Sequence, residues 1–215
     1  MYDQFKDEIK GDILEIGSGI GTYSEKLINN FPNSKIILSD ISESYVEELK
    51  KRFAFPNVES VIFDLNNKAH FQRVGKNRFD TIIALNVIEH IEDDGLALNF
   101  IYEMLRQNGK ALILVPAHQF LYNNIDKKVG HYRRYSKKTL LDLINKTKFK
   151  IDDIYFYNAS GILGWILSGN ILKKDEIEED TYSLYDKMIP FIKTIEKHLL
   201  FRSIGISLIT VLSKN

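Results

Sequence analysis

Short β-rich runs alternate with helical segments from the start of the chain, and this alternation limits the fold more than any other feature. Residues 12–16, 35–39, 57–63, 79–85 and 110–115 are rich in Ile, Val, Leu and Phe and are strand-length. Between them, 23–30, 42–53 and 95–106 have helical spacing, with Ser42 and Asp94 as expected N-caps. Strands that alternate with helices build a parallel sheet covered on both faces, joined by right-handed crossovers. After Pro116 the pattern changes to a polar, aromatic stretch, then a helix at about 136–146 and a strand at 151–157. A long excursion follows, and it ends in an apolar β-type run at 207–212. Two late strands around a helical insertion suggest a closing antiparallel hairpin.

The chain has 215 residues, enough for one sizeable domain, and no internal repeat or low-complexity linker divides it. The expectation is therefore a single domain over 1–215, with an acceptor-side loop at 117–136 and a helical insertion or lid at 159–205. Lys and Arg number 29 and Asp and Glu 29, so no global field gathers polyanions and nucleic acid is not an expected partner. The absence of cysteine excludes disulfides, zinc-thiolate sites and thiol nucleophiles. Charged residues fill positions 3–10, where a secretory signal would need an apolar core, so a cytoplasmic location is expected. The longest apolar stretch, 161–172, is broken by Ser168 and Asn170 and is shorter than the roughly 20 residues a spanning helix needs. No spanning segment is expected, which leaves peripheral membrane contact and homodimerisation open.

Residues 12–21 run a buried strand into a glycine-rich turn and then a helix, bringing bare backbone close to a ligand at the carboxyl edge of the sheet. A dinucleotide fingerprint, G-x-G-x-x-G, is not met: counted from Gly17, its last position is Thr22. Glu15 places a carboxylate beside the turn, which repels a pyrophosphate and favours a ligand carrying an ammonium and a sulfonium, as S-adenosyl-L-methionine does. Acidic residues recur at the next two strand ends, as Asp40 and Asp64. Asp40 can accept hydrogen bonds from both ribose hydroxyls, and Asp64 can accept one from the adenine amino group with Leu65 packing near the ring; Ile41 joins the same set. Taken singly, each feature is also a plain turn or surface cap; the joint order is what carries the reading. An oxidoreductase and a nonenzymatic nucleotide-binding module are the rivals.

In order and spacing, the segments LEIGSGIGTYS, ILSDIS, VIFDLN, FDTIIALNVIEHIEDD and LRQNGKALILVPAH resemble the successive motifs of class I S-adenosylmethionine-dependent methyltransferases, across roughly residues 12–118. The resemblance implies an α/β, Rossmann-like fold with a mostly parallel seven-stranded sheet and a helical insertion before the last strand. It also implies that Gly17, Gly19 and Gly21 surround the methionine and ribose moieties, that Asp40 holds the ribose and Asp64 the adenine, and that Asn86 lies near the methionine end. The segment GHYRRYS, residues 130–136, looks like the GHxRRYS signature of a methyltransferase subgroup often met near polysaccharide and glycoconjugate assembly functions. That resemblance implies a small-molecule or carbohydrate-containing acceptor, and methylation of protein or peptide is the alternative.

Methyl transfer from a sulfonium is an in-line displacement, so orientation and water exclusion supply much of the acceleration, and an alcohol acceptor gains from a base. His131 is the leading base candidate and His118 the second, because an unperturbed imidazole titrates near neutrality. Arg133 and Arg134 offer paired donors to an acceptor carboxylate or phosphate. His90, Tyr122, Tyr135 and Trp165 complete the expected acceptor side. Each also has an ordinary reading, as a loop-orienting histidine, a packed aromatic or, for Trp165, a core or dimer contact. No spacing of His, Asp and Glu along the chain suggests a metal site, so a metal-independent reaction is expected.

Overall fold

Along β1 (Ile13–Ile16) the side chains alternate between two apolar layers, so the strand is buried on both sides. Leu14 and Ile16 join one hydrophobic cluster and Ile13 the other. The same alternation repeats in β2 (Ile36–Asp40), β4 (Phe79–Leu85) and β5 (Leu105–Pro116), as a two-sided central sheet requires. The computed structural model describes residues 2–166 and 202–215. Its seven strands, with β3 (Val58–Ile62), β6 (Lys150–Tyr157) and β7 (Ser207–Ser213), run in the order β3-β2-β1-β4-β5-β7-β6. The first five are parallel; β7 lies antiparallel between β5 and β6. This is the Rossmann-like class I arrangement, with the expected closing hairpin threaded into the sheet.

One face is covered by the N-terminal 3-10 turns through Tyr2, Phe5 and Ile9, by α1 (Ser24–Asn30) through Leu27 and Ile28, and by α2 (Glu43–Arg52) through Leu49. The other is covered by α3 (Lys68–Val74), α4 (Asp94–Met104) and α6 (Lys137–Ile144), which contribute Phe71, Val74, Leu98, Ile101, Leu140 and Ile144. Each such side chain, fully buried, contributes about 1.5–3 kcal/mol of transfer free energy. Two short helices finish the description, α5 (Asn124–Lys128) and α7 (Ser160–Trp165).

Three local expectations are corrected. The N-cap of α4 is Asp93, whose carboxylate accepts the Leu96 N–H at 2.9 Å; Asp94 is the first helical residue and serves other partners. The helix expected to reach Arg106 ends at Met104, because Leu105 already pairs with Phe79 and β5 starts there, with an irregularity before Lys110. The guanidinium of Arg106 spans Asp12 and Asp80 instead, tying three strand ends together. The unexpected helix α3 is started by Asn67, whose side chain accepts the N–H groups of Ala69 and His70. Ser42 caps α2 as expected. The acidic run at 175–180 and most of the 159–205 insertion lie outside the described residues.

Gly21 shows how tightly the turn after β1 is built. Its φ is +83°, and an added Cβ would lie 2.5 Å from a Phe53 ring carbon and 3.0 Å from Leu49. Gly21→Ala therefore combines a left-handed backbone with an overpacked contact, and we expect a loss of about 2 kcal/mol in denaturant unfolding. An unchanged midpoint would mean that Phe53 swings aside without cost.

Candidate active site

The carboxyl ends of β1, β2, β3 and β4 converge on one trough. Its larger part, about 560 Å³, is lined by Gly17, Asp40, Ile41, Asp64, Leu65, Asn86 and His90, among others. A smaller continuation of about 220 Å³ shares Ile16, Gly17 and Asn86 with it and is lined by Glu15, Ser18 and Gly19. Together they have the size of a cofactor cleft. Gly17, at φ +73°, would drive a Cβ to 2.6 Å from Val87, whereas a Cβ on Gly19 would meet nothing within 4 Å. Gly17 and Gly21 thus serve packing of the turn, and Gly19 leaves bare backbone on the open side.

Asp40, at the end of β2, organises this turn. Its Oδ2 accepts the Gly19 N–H at 2.9 Å and its Oδ1 accepts the Ser42 N–H at 2.9 Å. Each oxygen keeps acceptor capacity for a second donor. Asp64 accepts the Asn66 N–H through Oδ1 at 2.8 Å, while its own backbone N–H is taken by His70 Nδ1 at 3.1 Å. Asn86 has φ +54° at the end of β4, with its N–H on the Leu114 carbonyl.

Glu15 is buried under the turn, where its Oε2 accepts the Ser18 hydroxyl at 3.1 Å and also the Ser24 hydroxyl from α1. Burial pushes its carboxyl up to about 7, against the lowering effect of the two hydroxyls. A carboxyl whose folded value lies above its unfolded one costs nothing below about pH 4.3 and destabilises the fold as pH rises through about 7. The span corresponds to about 3–4 kcal/mol. Glu15→Gln has no such titration, so its stability relative to the parent should improve by that amount between pH 4.5 and 7.5. A pH-independent difference in urea unfolding would show that Glu15 is ionised, or solvated, throughout.

Past β4, a 3-10 turn at Ile88–His90 places Glu89 inward and His90 at the trough. Glu89 is fully buried, and neither carboxylate oxygen has a hydrogen-bond partner from another residue. Burial pushes it up to about 8. His131 packs edge-on against His90 with 4.6 Å between ring centres, and its Nε2 is 3.8 Å from Glu89 Oε1. Its Nδ1–H donates to Asp126 Oδ1 at 2.7 Å.

Asp126, which the sequence reading did not single out, anchors this corner. It also accepts from Arg134 Nε at 2.9 and 3.0 Å and from the Asn123 N–H at 3.0 Å, closing a capping box at α5. Burial alone raises its carboxyl, but the bonds from His131 and Arg134 outweigh this and hold it below the usual range.

The other expected acceptor-side residues are brought close to this corner but are engaged in holding it. The Arg134 guanidinium is buried against Asp126 and the Ala117 carbonyl, with the Trp165 ring 4.2 Å away. Trp165 Nε1–H donates to the Leu121 carbonyl at 2.9 Å. Arg133 bonds Asp94 and the Glu92 carbonyl, and the Tyr135 hydroxyl donates to the same Asp94 carboxylate. The Tyr122 hydroxyl donates to the His131 carbonyl at 2.7 Å. His118 stands apart, stacked on Phe156 with Nε2–H on the Gly205 carbonyl.

Residues 14–111 match the family model described as a methyltransferase domain. The chain is 26% identical over 166 residues to malonyl-[acyl-carrier protein] O-methyltransferase 1 of Ilyobacter polytropus, covering 72% of this chain and 60% of the relative. It is 25% identical over 115 residues to the ubiquinone/menaquinone biosynthesis C-methyltransferase of Desulfotalea psychrophila, covering 52% and 45%. The chain thus spans less than two thirds of either relative. The structure aligns with an S-adenosylmethionine dependent methyltransferase from Mesorhizobium loti at a TM-score of 0.68 and 10% identity, over 99% of this chain and 97% of that one. The fold is the one that class I methyltransferases share, and the segment that resembles their domain model covers just under half of the chain. The methyl donor of such a domain is S-adenosyl-L-methionine. Among the described residues, no helix is long and apolar enough to cross a membrane.

Proposed function

We propose that the protein transfers a methyl group from S-adenosyl-L-methionine to a small-molecule or carbohydrate-containing acceptor, through oxygen or nitrogen. The observation that carries this reading is the single trough onto which Glu15, Asp40, Asp64 and Asn86 open from successive strand ends. In it Asp40 receives the ribose hydroxyls and Asp64 the adenine amino group, with Ile41 and Leu65 against the ring. Glu15 and the Gly17–Gly19 turn face the methionine end, where the carboxylate favours the ammonium.

The methyl carbon's bond to sulfur breaks as its bond to the acceptor heteroatom forms; the electron pair stays on sulfur and the acceptor proton leaves to a base. His131 suits that role: Asp126 fixes its Nδ1 tautomer and leaves Nε2 toward Glu89 and His90. The Arg133, Arg134, Tyr122, Tyr135 and Trp165 contacts then act by positioning the loop. The relatives' names, an O-methyltransferase on malonyl-acyl carrier protein and a C-methyltransferase of quinone biosynthesis, fit a small reacting group, which in the first is carried on a protein.

The test is incubation of the enzyme with methyl-labelled cofactor, source-cell metabolites, lipid-linked sugars and peptides together, followed by mass spectrometry. Label in a metabolite or glycan supports the reading. Label only in peptides moves the acceptor to protein, and cofactor binding without any transfer makes the chain a nucleotide-binding module.

A further inference from the structure

We propose that Glu89, His90 and His131 form a binding site for one divalent transition ion of the zinc or cobalt kind, beside the trough. One ligand atom from each of the three lies within 4.8 Å of the others. Two imidazoles and a carboxylate are a common donor set for such ions, with a fourth position open to water or substrate.

Three features separate this cluster from a chance meeting of polar groups. The Glu89 carboxylate is fully buried with both oxygens unpartnered, a costly arrangement that an ion removes. The His131 ring is already oriented as a ligand: Asp126 accepts from Nδ1 at 2.7 Å while Nε2 stands 3.8 Å from Glu89. Carboxylate, histidine and ion in series is the usual way a protein fixes the tautomer of a metal-bound imidazole. Asp126 is in turn clamped by Arg134 and the α5 cap, so the support is rigid. Ligands of a tetrahedral zinc ion stand about 3.3 Å apart, so side-chain adjustments of about an ångström close the site.

The residues come from the β4 exit turn and from the loop after β5, which explains why no spacing along the chain announces them. With an ion present, an acceptor hydroxyl bound to it would be acidified by the metal and release its proton to water, with His131 serving as ligand in place of base. That consequence rests on the function proposed above; the binding of the ion does not.

The test is therefore made without cofactor or acceptor. Chelator-treated protein is titrated with zinc chloride by calorimetry and with cobalt chloride by visible absorption. The expected result is one ion per chain, with the intense absorption of tetrahedral cobalt. Glu89→Gln and His131→Ala should each weaken binding at least 100-fold, and Asp126→Asn about 10–100-fold. His90 is solvent-exposed, so His90→Ala tests the site even if the buried variants fail to fold. No stoichiometric binding, or binding unaltered in His90→Ala and in any other of these variants that folds, overturns the proposal. A positive titration with no methyl transfer would leave the site standing and remove the enzyme reading alone.

Discussion

Asp40→Ala should weaken S-adenosyl-L-methionine binding about 100–1,000-fold, equivalent to about 3–4 kcal/mol, with the fold retained. Two effects add. Hydrogen bonds to a charged carboxylate are worth about 1.5–3 kcal/mol each, and two ribose hydroxyls lose theirs. The Gly19 and Ser42 N–H groups also lose their acceptors, at 2.9 Å each, so the turn that lines the trough loses its anchor to β2. Adenosine and S-adenosylhomocysteine share the ribose and should weaken by a similar factor. Glu15→Gln, by contrast, should weaken only ligands that carry the amino-acid tail. Calorimetry on all three ligands reads the pattern. A folded Asp40→Ala protein with parental affinity would place the ribose elsewhere, and a loss confined to ligands with the tail would shift Asp40 to the methionine end.

That Asp40, Asp64 and Asn86 would meet at one edge of the sheet was legible because every step from sequence to position there is local. A strand end fixes which residue emerges at the carboxyl edge, and the parallel order then brings Asp40, Asp64 and Asn86 to one trough. The three glycines were legible as a set but not in their division of labour. Gly17 and Gly21 avoid Val87 and Phe53, which come from other elements, and only Gly19 faces open space.

Where the acceptor-side residues sit was less legible, because burial, not spacing, decides it. Arginine is rarely buried, and nothing in the run Tyr132-Arg133-Arg134-Tyr135 distinguishes an arginine that meets solvent from one sealed against Asp126. The one available signal was the N-x-x-D pattern at Asn123 and Asp126, a capping box, which marks Asp126 as held in place. Glu89 carries no signal at all: it is one of several acids in Glu89-His90-Ile91-Glu92-Asp93-Asp94, and only the packing of the loop after β5 makes it the buried one. Asp94 was misread as a cap for the same reason, since two adjacent aspartates fit the local pattern equally well and the tertiary partners Arg133 and Tyr135 claim the second.

His131→Ala should reduce turnover about 10²–10⁴-fold at saturating acceptor, the usual range for a positioned acid or base, while cofactor affinity changes less than about threefold. The separation follows from what the ring touches. His131 contributes neither a lining atom of the trough nor a bond to the glycine turn; its contacts are Asp126, Glu89 and His90. Asp126 keeps Arg134 and the Asn123 N–H when the imidazole is removed, so the loop has reason to stay folded. His118→Ala provides the contrast. Its ring is stacked on Phe156 and bonded to the Gly205 carbonyl, so its loss should lower stability and leave turnover of the folded enzyme near parental. The measurement is kcat and KM for the acceptor found by methyl labelling, beside calorimetric cofactor affinity and unfolding midpoints for both variants. Parental kcat in His131→Ala would remove the residue from the chemistry whether it acts as base or as ligand. A larger kinetic loss in His118→Ala would place the reacting atom on the β6 side of the loop, next to Phe156 and Gly205.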